Sequence, residues 1–197
     1  MAVPVIYAAR HGETEWSLSG QHTGVTDIPL TAHGESDARK LGTRLQGLTI
    51  AKVFSSPLQR ARRTCELAGF GAQAEILPDA IEWNYGESEG VKTHDIHREL
   101  PDWDLFRDGC PGGEDAAAVG ARADRVIERI RAVDGDVLIF SSSHFLRVFS
   151  ARWIGLPPTG GARFVLGTTA LSELSYEHNK LTEPVIRVWN DTRHLQG

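Results

Sequence analysis

Apolar and polar positions follow two rhythms along this chain. Short unbroken apolar runs, rich in β-branched residues, occur at residues 3–9 (VPVIYAA), at Val53-Phe54 and at 136–140 (DVLIF). Runs of that length and kind predict buried strands. Elsewhere apolar residues recur every three or four positions. Ala38, Leu41, Leu45 and Leu48 predict an amphipathic helix over about 31–47, and Val119, Ala123, Val126, Ile127 and Ile130 form the cleanest stripe. Residues 58–68, carrying Arg60, Arg62 and Arg63, read as a further helix, and 144–154 as another, closed by Gly155 and Pro157-Pro158. Segments 170–176 and 184–189 flank Asn179-Lys180 and predict a hairpin. Strands alternating with helices specify an open, mostly parallel α/β sheet with an antiparallel edge. Residues 86–115, rich in Gly, Asp, Glu and aromatics, are the least regular stretch. They read as an insertion or lid over the end of the sheet, within a single domain spanning 1–197.

Composition narrows the class without naming a function. The 197 residues are 41% hydrophobic and 24% charged, which suits a soluble domain able to bury its own core. A net charge of −5 weighs against nucleic acid or an anionic membrane surface as partner, yet leaves room for an anionic small molecule at a local cluster of arginines. Cys65 and Cys110 are too few for a disulfide framework and read as reduced thiols of a cytoplasmic protein. No apolar run reaches membrane-spanning length, and no leader is expected. No feature encodes an oligomeric state.

In sheets of this kind ligands bind beyond the carboxyl ends of the strands. Arg10-His11, residues 55–60 and residues 141–144 all come directly after predicted strands. A neutral imidazole is a competent nucleophile toward phosphorus, and a guanidinium recognises phosphate oxygens bidentately. Arg60 falls in the first turn of a predicted helix, where exposed N–H groups and a cation favour an anion. Glu82 precedes Trp83, and an aromatic neighbour is a setting that general acids use. Each has a plainer reading: an incidental surface pair, a solvated basic face, an exposed glutamate. His94 and His97 have ligand-like spacing but no third ligand in register, so no metal is expected there. Cys110, in Gly-Cys-Pro-Gly-Gly, reads as a turn or lid residue. Trp103 and Phe106 suit either a pocket wall or core packing. A Walker-type glycine loop is absent from the sequence.

Residues 9–38 (ARHGETEWSLSGQHTGVTDIPLTAHGESDA) resemble the histidine phosphatase superfamily, also called the phosphoglycerate mutase-like family. SSPLQRARRT (55–64), EWNYGESEG (82–90), PDWDLFRDGCPGGE (101–114) and HFLRVFSARWIGLP (144–157) extend the resemblance over most of the chain. It looks most like the small sugar-phosphate phosphatases, including those similar to sedoheptulose-1,7-bisphosphatase. The resemblance implies a three-layer Rossmann-like α/β sandwich, a small phosphorylated metabolite as partner, and no cofactor or metal. His11 matches the nucleophile that becomes a phosphohistidine, and Arg10 and Arg60 match the arginines that clamp the phosphoryl group. Glu82 matches the proton donor to the leaving alkoxide, which then activates water. Ser17, Thr23 and Gly24 lie where family members contact the substrate's polar groups.

One departure stands out. The family carries a second catalytic histidine in a His-Gly pair after a late strand, where this chain reads Ser142-Ser143-His144-Phe145-Leu146-Arg147. Ser142 takes the catalytic position, and its hydroxyl donates one hydrogen bond but no positive charge. Three consequences compete: weakened catalysis, His144 taking over from about 6.6 Å along the chain, or a phospho-ligand binding protein that does not hydrolyse. A phosphoglycerate mutase is the alternative enzyme. Mutases of the family typically place Arg-His-Tyr-Gly after the glutamate, whereas Trp83-Asn84-Tyr85-Gly86 stands here.

Overall fold

The computed structural model describes residues 3–196. In chain order its elements are β1 Ile6–Arg10, α1 Glu15–Ser19, α2 Ala32–Leu45, β2 Lys52–Ser55, α3 Gln59–Leu67, β3 Ala74–Ile76, α4 Thr93–Glu99, α5 Leu105–Asp108, α6 Ala116–Arg131, β4 Val137–Ser141, α7 Ser143–Trp153, β5 Leu171–Tyr176 and β6 Pro184–Asp191. The six strands form one sheet in the order β3-β2-β4-β1-β5-β6. The first four in that order run parallel; β5 is antiparallel to β1, and β6 to β5.

Alternation along the central strands sorts their side chains onto two faces. Ile6 and Ala8 of β1, with Val137 and Ile139 of β4, join the stripe Val119, Ala123, Val126, Ile127, Ile130 of α6 and Phe145, Phe149, Trp153 of α7 in one core. Tyr7, Ala9, Leu138 and Phe140 face the other way, onto Leu41 and Leu45 of α2 and Cys65 of α3. The sheet is therefore the middle of three layers, the α/β sandwich expected from the sequence. Both cysteines are free and buried. None of the described helices is long and apolar enough to cross a membrane.

Element boundaries differ from the predicted ones for local reasons. The strand expected over 3–9 begins at Ile6. Residues 3–5 precede the ladder, with the Val5 N–H donating to the Asp136 carboxylate at 2.8 Å. Helix α2 starts after its cap Thr31, whose hydroxyl accepts from the Gly34 N–H, and stops at Leu45 because the chain turns left-handed at Gly47 (φ 83°). Strand β3, with three half-buried or exposed residues at the sheet edge, has no period to read. Residues 86–115 hold α4 and α5 rather than loop alone. Gln21 and Lys92 form an antiparallel bridge, and the His22 N–H donates to the Val91 carbonyl at 3.0 Å. That junction seats the segment beside residues 20–22.

Register fixes where chemistry can assemble. Arg10 pairs with Ser141, and Ser55 with Phe140. The ends of β1, β2 and β4 are thus level, and the residues just past each strand open onto the same edge.

Candidate active site

His11 leaves β1 with its backbone held on both sides. Its N–H donates to the Ser141 carbonyl at 2.9 Å, and its own carbonyl accepts from the Thr169 N–H at 3.0 Å. Gly12 is required next, because a Cβ there would lie 2.6 Å from the Gly34 carbonyl oxygen. His11 is 3% exposed, with its ring Nδ1 2.7 Å from the Gly12 carbonyl. A carbonyl only accepts, so Nδ1 carries the hydrogen and Nε2 keeps its lone pair. Burial, then the charges of Arg60 and Arg10, hold the ring's pKa well below 6.5, which keeps it in this nucleophilic form.

Arg60, in the first turn of α3, is fully buried. Its guanidinium donates to the carbonyls of Thr26 (2.9 Å), Thr23 (2.9 Å) and Gly24 (2.7 Å). Arg10 donates to the Leu166 carbonyl at 2.5 Å, and burial lowers its pKa to about 10, still leaving it charged at neutral pH. In both arginines Nε is buried without a hydrogen-bond partner. Unpaired buried donors are costly, and an anion is the partner such donors suit.

Glu82 reaches the N-terminus of α7. Its Oε1 accepts from the N–H groups of Trp83 (2.9 Å) and Phe145 (2.7 Å), and its Oε2 from that of His144 (3.0 Å). Ser142 is the capping residue of α7, yet its side chain makes no capping bond. Its Oγ is buried and unpartnered. Glu82 thus makes the bonds a capping serine would make, and the Ser142 hydroxyl is left free.

A cavity of about 230 Å³ lies here, lined by Arg10, His11, Trp16, Ser17, Gly20, Gln21, His22, Thr23, Glu82, Tyr85, Thr93, Ser143 and His144. His144 Nδ1 is 2.6 Å from the Tyr85 hydroxyl. The ring of His22 packs edge-on against Tyr85, centroids 4.7 Å apart, and its Nε2 is 3.0 Å from Thr93 Oγ1. Burial holds His144 well below 6.5, with the charges of Arg147, His22 and Arg10 adding to it.

Of the residues singled out from sequence, Arg10, His11, Ser17, Thr23, Glu82 and His144 line the cavity together. Arg60 and Ser142 are fully buried and are not among its lining residues. Gly24 does not line it either: its carbonyl holds Arg60, its N–H donates to Glu89, and a Cβ would collide with Glu89 and the Trp83 carbonyl. The Ser17 hydroxyl is engaged in a capping box with Thr14. His94 and His97 are exposed, bonding to Asp95 and to the Trp103 carbonyl. Trp103, Phe106 and Cys110 pack with the core, Phe106 with its ring 5.6 Å from that of His144. Sequence reasoning misses His22, Tyr85 and Thr93. They sit within or beside the motifs quoted above, but only the fold reveals that Tyr85 and His22 lie against His144 and that Thr93 bonds His22.

The match to the histidine phosphatase superfamily (branch 1) covers residues 6–192. The chain is 38% identical over 173 residues to an acid phosphatase of Mycobacterium tuberculosis, covering 86% of this chain and 85% of that protein. Sedoheptulose 1,7-bisphosphatase of Saccharomyces cerevisiae is 36% identical over 186 residues, covering 78% of this chain and 68% of that protein. The solved structure of an open reading frame product from Mycobacterium tuberculosis superposes with a TM-score of 0.87 at 35% identity, over 95% of this chain and 97% of that one. A histidine locked in its nucleophilic tautomer at the end of β1 and these likenesses lead to one assignment: the chain belongs to the histidine phosphatase superfamily.

Proposed function

We propose that this chain is a metal-independent phosphatase, a single catalytic domain covered by residues 86–115, that hydrolyses a small phosphorylated sugar or similar metabolite in the cytoplasm. One observation carries the reading: the His11 Nδ1 bond to the Gly12 carbonyl at 2.7 Å, which leaves Nε2 as a free nucleophile. The Nε2 lone pair attacks phosphorus, and the bond to the leaving oxygen breaks. Arg10, Arg60 and the Ser142 hydroxyl offset the charge on the phosphoryl oxygens. Glu82 Oε1 already accepts two N–H groups and Oε2 only one, so Oε2 is the oxygen able to carry the proton to the leaving alkoxide. Glu82 then takes a proton from water, whose oxygen attacks the phosphohistidine and releases phosphate. The resting His11 is restored.

Rapid-quench mixing with a chromogenic phosphomonoester and with a sugar bisphosphate tests this. An acid-labile phosphoenzyme in the wild type, absent from His11→Ala, is the expected result. Absence of both turnover and phosphoenzyme, with sugar phosphate still bound, would establish a second reading, a phospho-ligand binding protein. Ser142 favours that reading, because its hydroxyl supplies no positive charge. Interconversion of 2- and 3-phosphoglycerate would instead establish a mutase.

A further inference from the structure

We propose that His144 is a hydrogen-bond donor to the leaving group, its Nε2–H held in place by the phenol of Tyr85 and directed at a hydroxyl oxygen of a polyhydroxylated substrate. The proposal rests on the phosphatase reading above and names the leaving-group side of that site.

Donor and acceptor counting sets the tautomer. Tyr85 is 2% exposed, and among the described residues its hydroxyl has one hydrogen-bond partner, His144 Nδ1 at 2.6 Å. A phenol carries one O–H, and a buried O–H without an acceptor is costly. The phenol therefore donates, and Nδ1 accepts. A neutral ring that accepts at Nδ1 carries its hydrogen at Nε2. Burial keeps both groups in these states: the Tyr85 hydroxyl is raised well above 10 and His144 lowered well below 6.5. Nε2 has no partner among the described residues, and the ring lines the cavity.

Its surroundings suit this donor to a sugar hydroxyl. The His144 ring lies among aromatic rings, with centroids 5.8 Å from Tyr85, 5.6 Å from Phe106, and 6.4 Å from both Trp83 and His22. With its Nδ1 taken by Tyr85, His144 offers the cavity one ring nitrogen, Nε2. A neutral donor in a cavity also lined by Trp16 and Tyr85 suits a carbohydrate, whose hydroxyls accept hydrogen bonds and whose C–H faces pack on rings.

His144→Phe keeps the packing and removes the donor, whereas His144→Gln puts an amide N–H near the Nε2 position. The Phe variant is expected to lose about tenfold in kcat/KM for a hexose bisphosphate, the worth of one neutral hydrogen bond. Its kcat/KM for p-nitrophenyl phosphate, which has no leaving-group hydroxyl, stays within about twofold. The Gln variant recovers most of the loss. Calorimetry in a His11→Ala background reads the same tenfold weakening of hexose bisphosphate binding without turnover, and ¹⁵N NMR finds Nδ1 of His144 unprotonated. Equal losses for both esters, unchanged hexose bisphosphate binding, or a protonated Nδ1 would each overturn the proposal. A wild type that forms no phosphoenzyme defeats the phosphatase reading alone, because calorimetry and NMR still decide the role of His144.

Discussion

The Glu82 carboxylate occupies the capping position that the Ser142 hydroxyl would fill: it lies 2.7 Å from the Phe145 N–H while Ser142 Oγ has no partner. A serine at a helix N-cap ordinarily bonds the N–H two or three residues on. Here a residue 60 positions away in sequence does so. The consequence is functional as well as structural, since the acid of the proposed reaction is oriented by the helix it caps. The side chain at position 142 is thereby relieved of capping the helix, while its carbonyl still accepts from the Leu146 N–H.

Ser142→His is the substitution this arrangement invites. The helix loses no cap, because Glu82 supplies it, and the site gains an imidazole donor. Losing a comparable transition-state donor costs about 10²–10³ in rate. We expect kcat on a sugar bisphosphate to rise about a hundredfold, measured by phosphate release. An unchanged rate would place the missing charge elsewhere.

Legibility in the sequence depends on range. The three-layer sandwich is readable from β1, β4, α2 and α6, whose periods are long or clean. The proposed nucleophile His11 is legible because it directly follows β1, and Arg10 and Arg60 because one ends that strand and the other opens α3. Glu82 reads as the neighbour of Trp83, but Trp83 is packed in the core and donates its indole N–H to Glu114. What orients Glu82 is α7, and no local pattern announces a cap delivered from another segment. His144 and Tyr85, 59 positions apart, are the same kind of case.

Arg60 and Arg10 should separate stability from binding. Removing Arg60 takes the donor from three carbonyls, that of Gly24 buried and those of Thr23 and Thr26 partly buried, whereas Arg10 makes one protein bond. Unsatisfied buried groups cost about 1–3 kcal/mol each. Arg60→Met is expected to lower stability by at least about 3 kcal/mol in urea unfolding. Arg10→Met is expected to lose phosphate affinity at a smaller cost in stability.

Acidification should destabilise the fold from about pH 6.5 downward. His11 and His144 are held well below 6.5, chiefly by burial, and His22 and His194 shift the same way. Below the unfolded value the unfolded chain binds protons that the native state refuses, so stability falls as pH drops toward the native values. Above it these groups add no slope. His178 shifts upward beside Glu183 but is fully exposed and screened. Thermal midpoints between about pH 8 and pH 5 should fall on the acid side, less steeply in His11→Gln. The acid limb of kcat/KM should likewise lie below 6.5.

Glu82→Gln tests the proton donor and its orientation together. An amide in this position offers one oxygen where the carboxylate offers two, so its NH₂ must face either the Oε1 donors, Trp83 and Phe145, or the Oε2 donor, His144. Keeping the two bonds at Oε1 is the better choice, which places NH₂ against the His144 N–H at the oxygen assigned to carry the proton. General acid catalysis is worth about 10²–10⁴, and only where the leaving group needs the proton. Turnover of a sugar phosphate, which leaves as an alkoxide, should therefore drop about a hundredfold or more. p-Nitrophenolate leaves readily without help, so phosphoenzyme formation from its ester should change far less in rapid-quench traces. Hydrolysis of that phosphoenzyme should slow, because water then lacks its base, and the trace should become a burst with a slow phase after it. Equal loss on both esters, without a burst, would mean that Glu82 holds α7 and moves no proton.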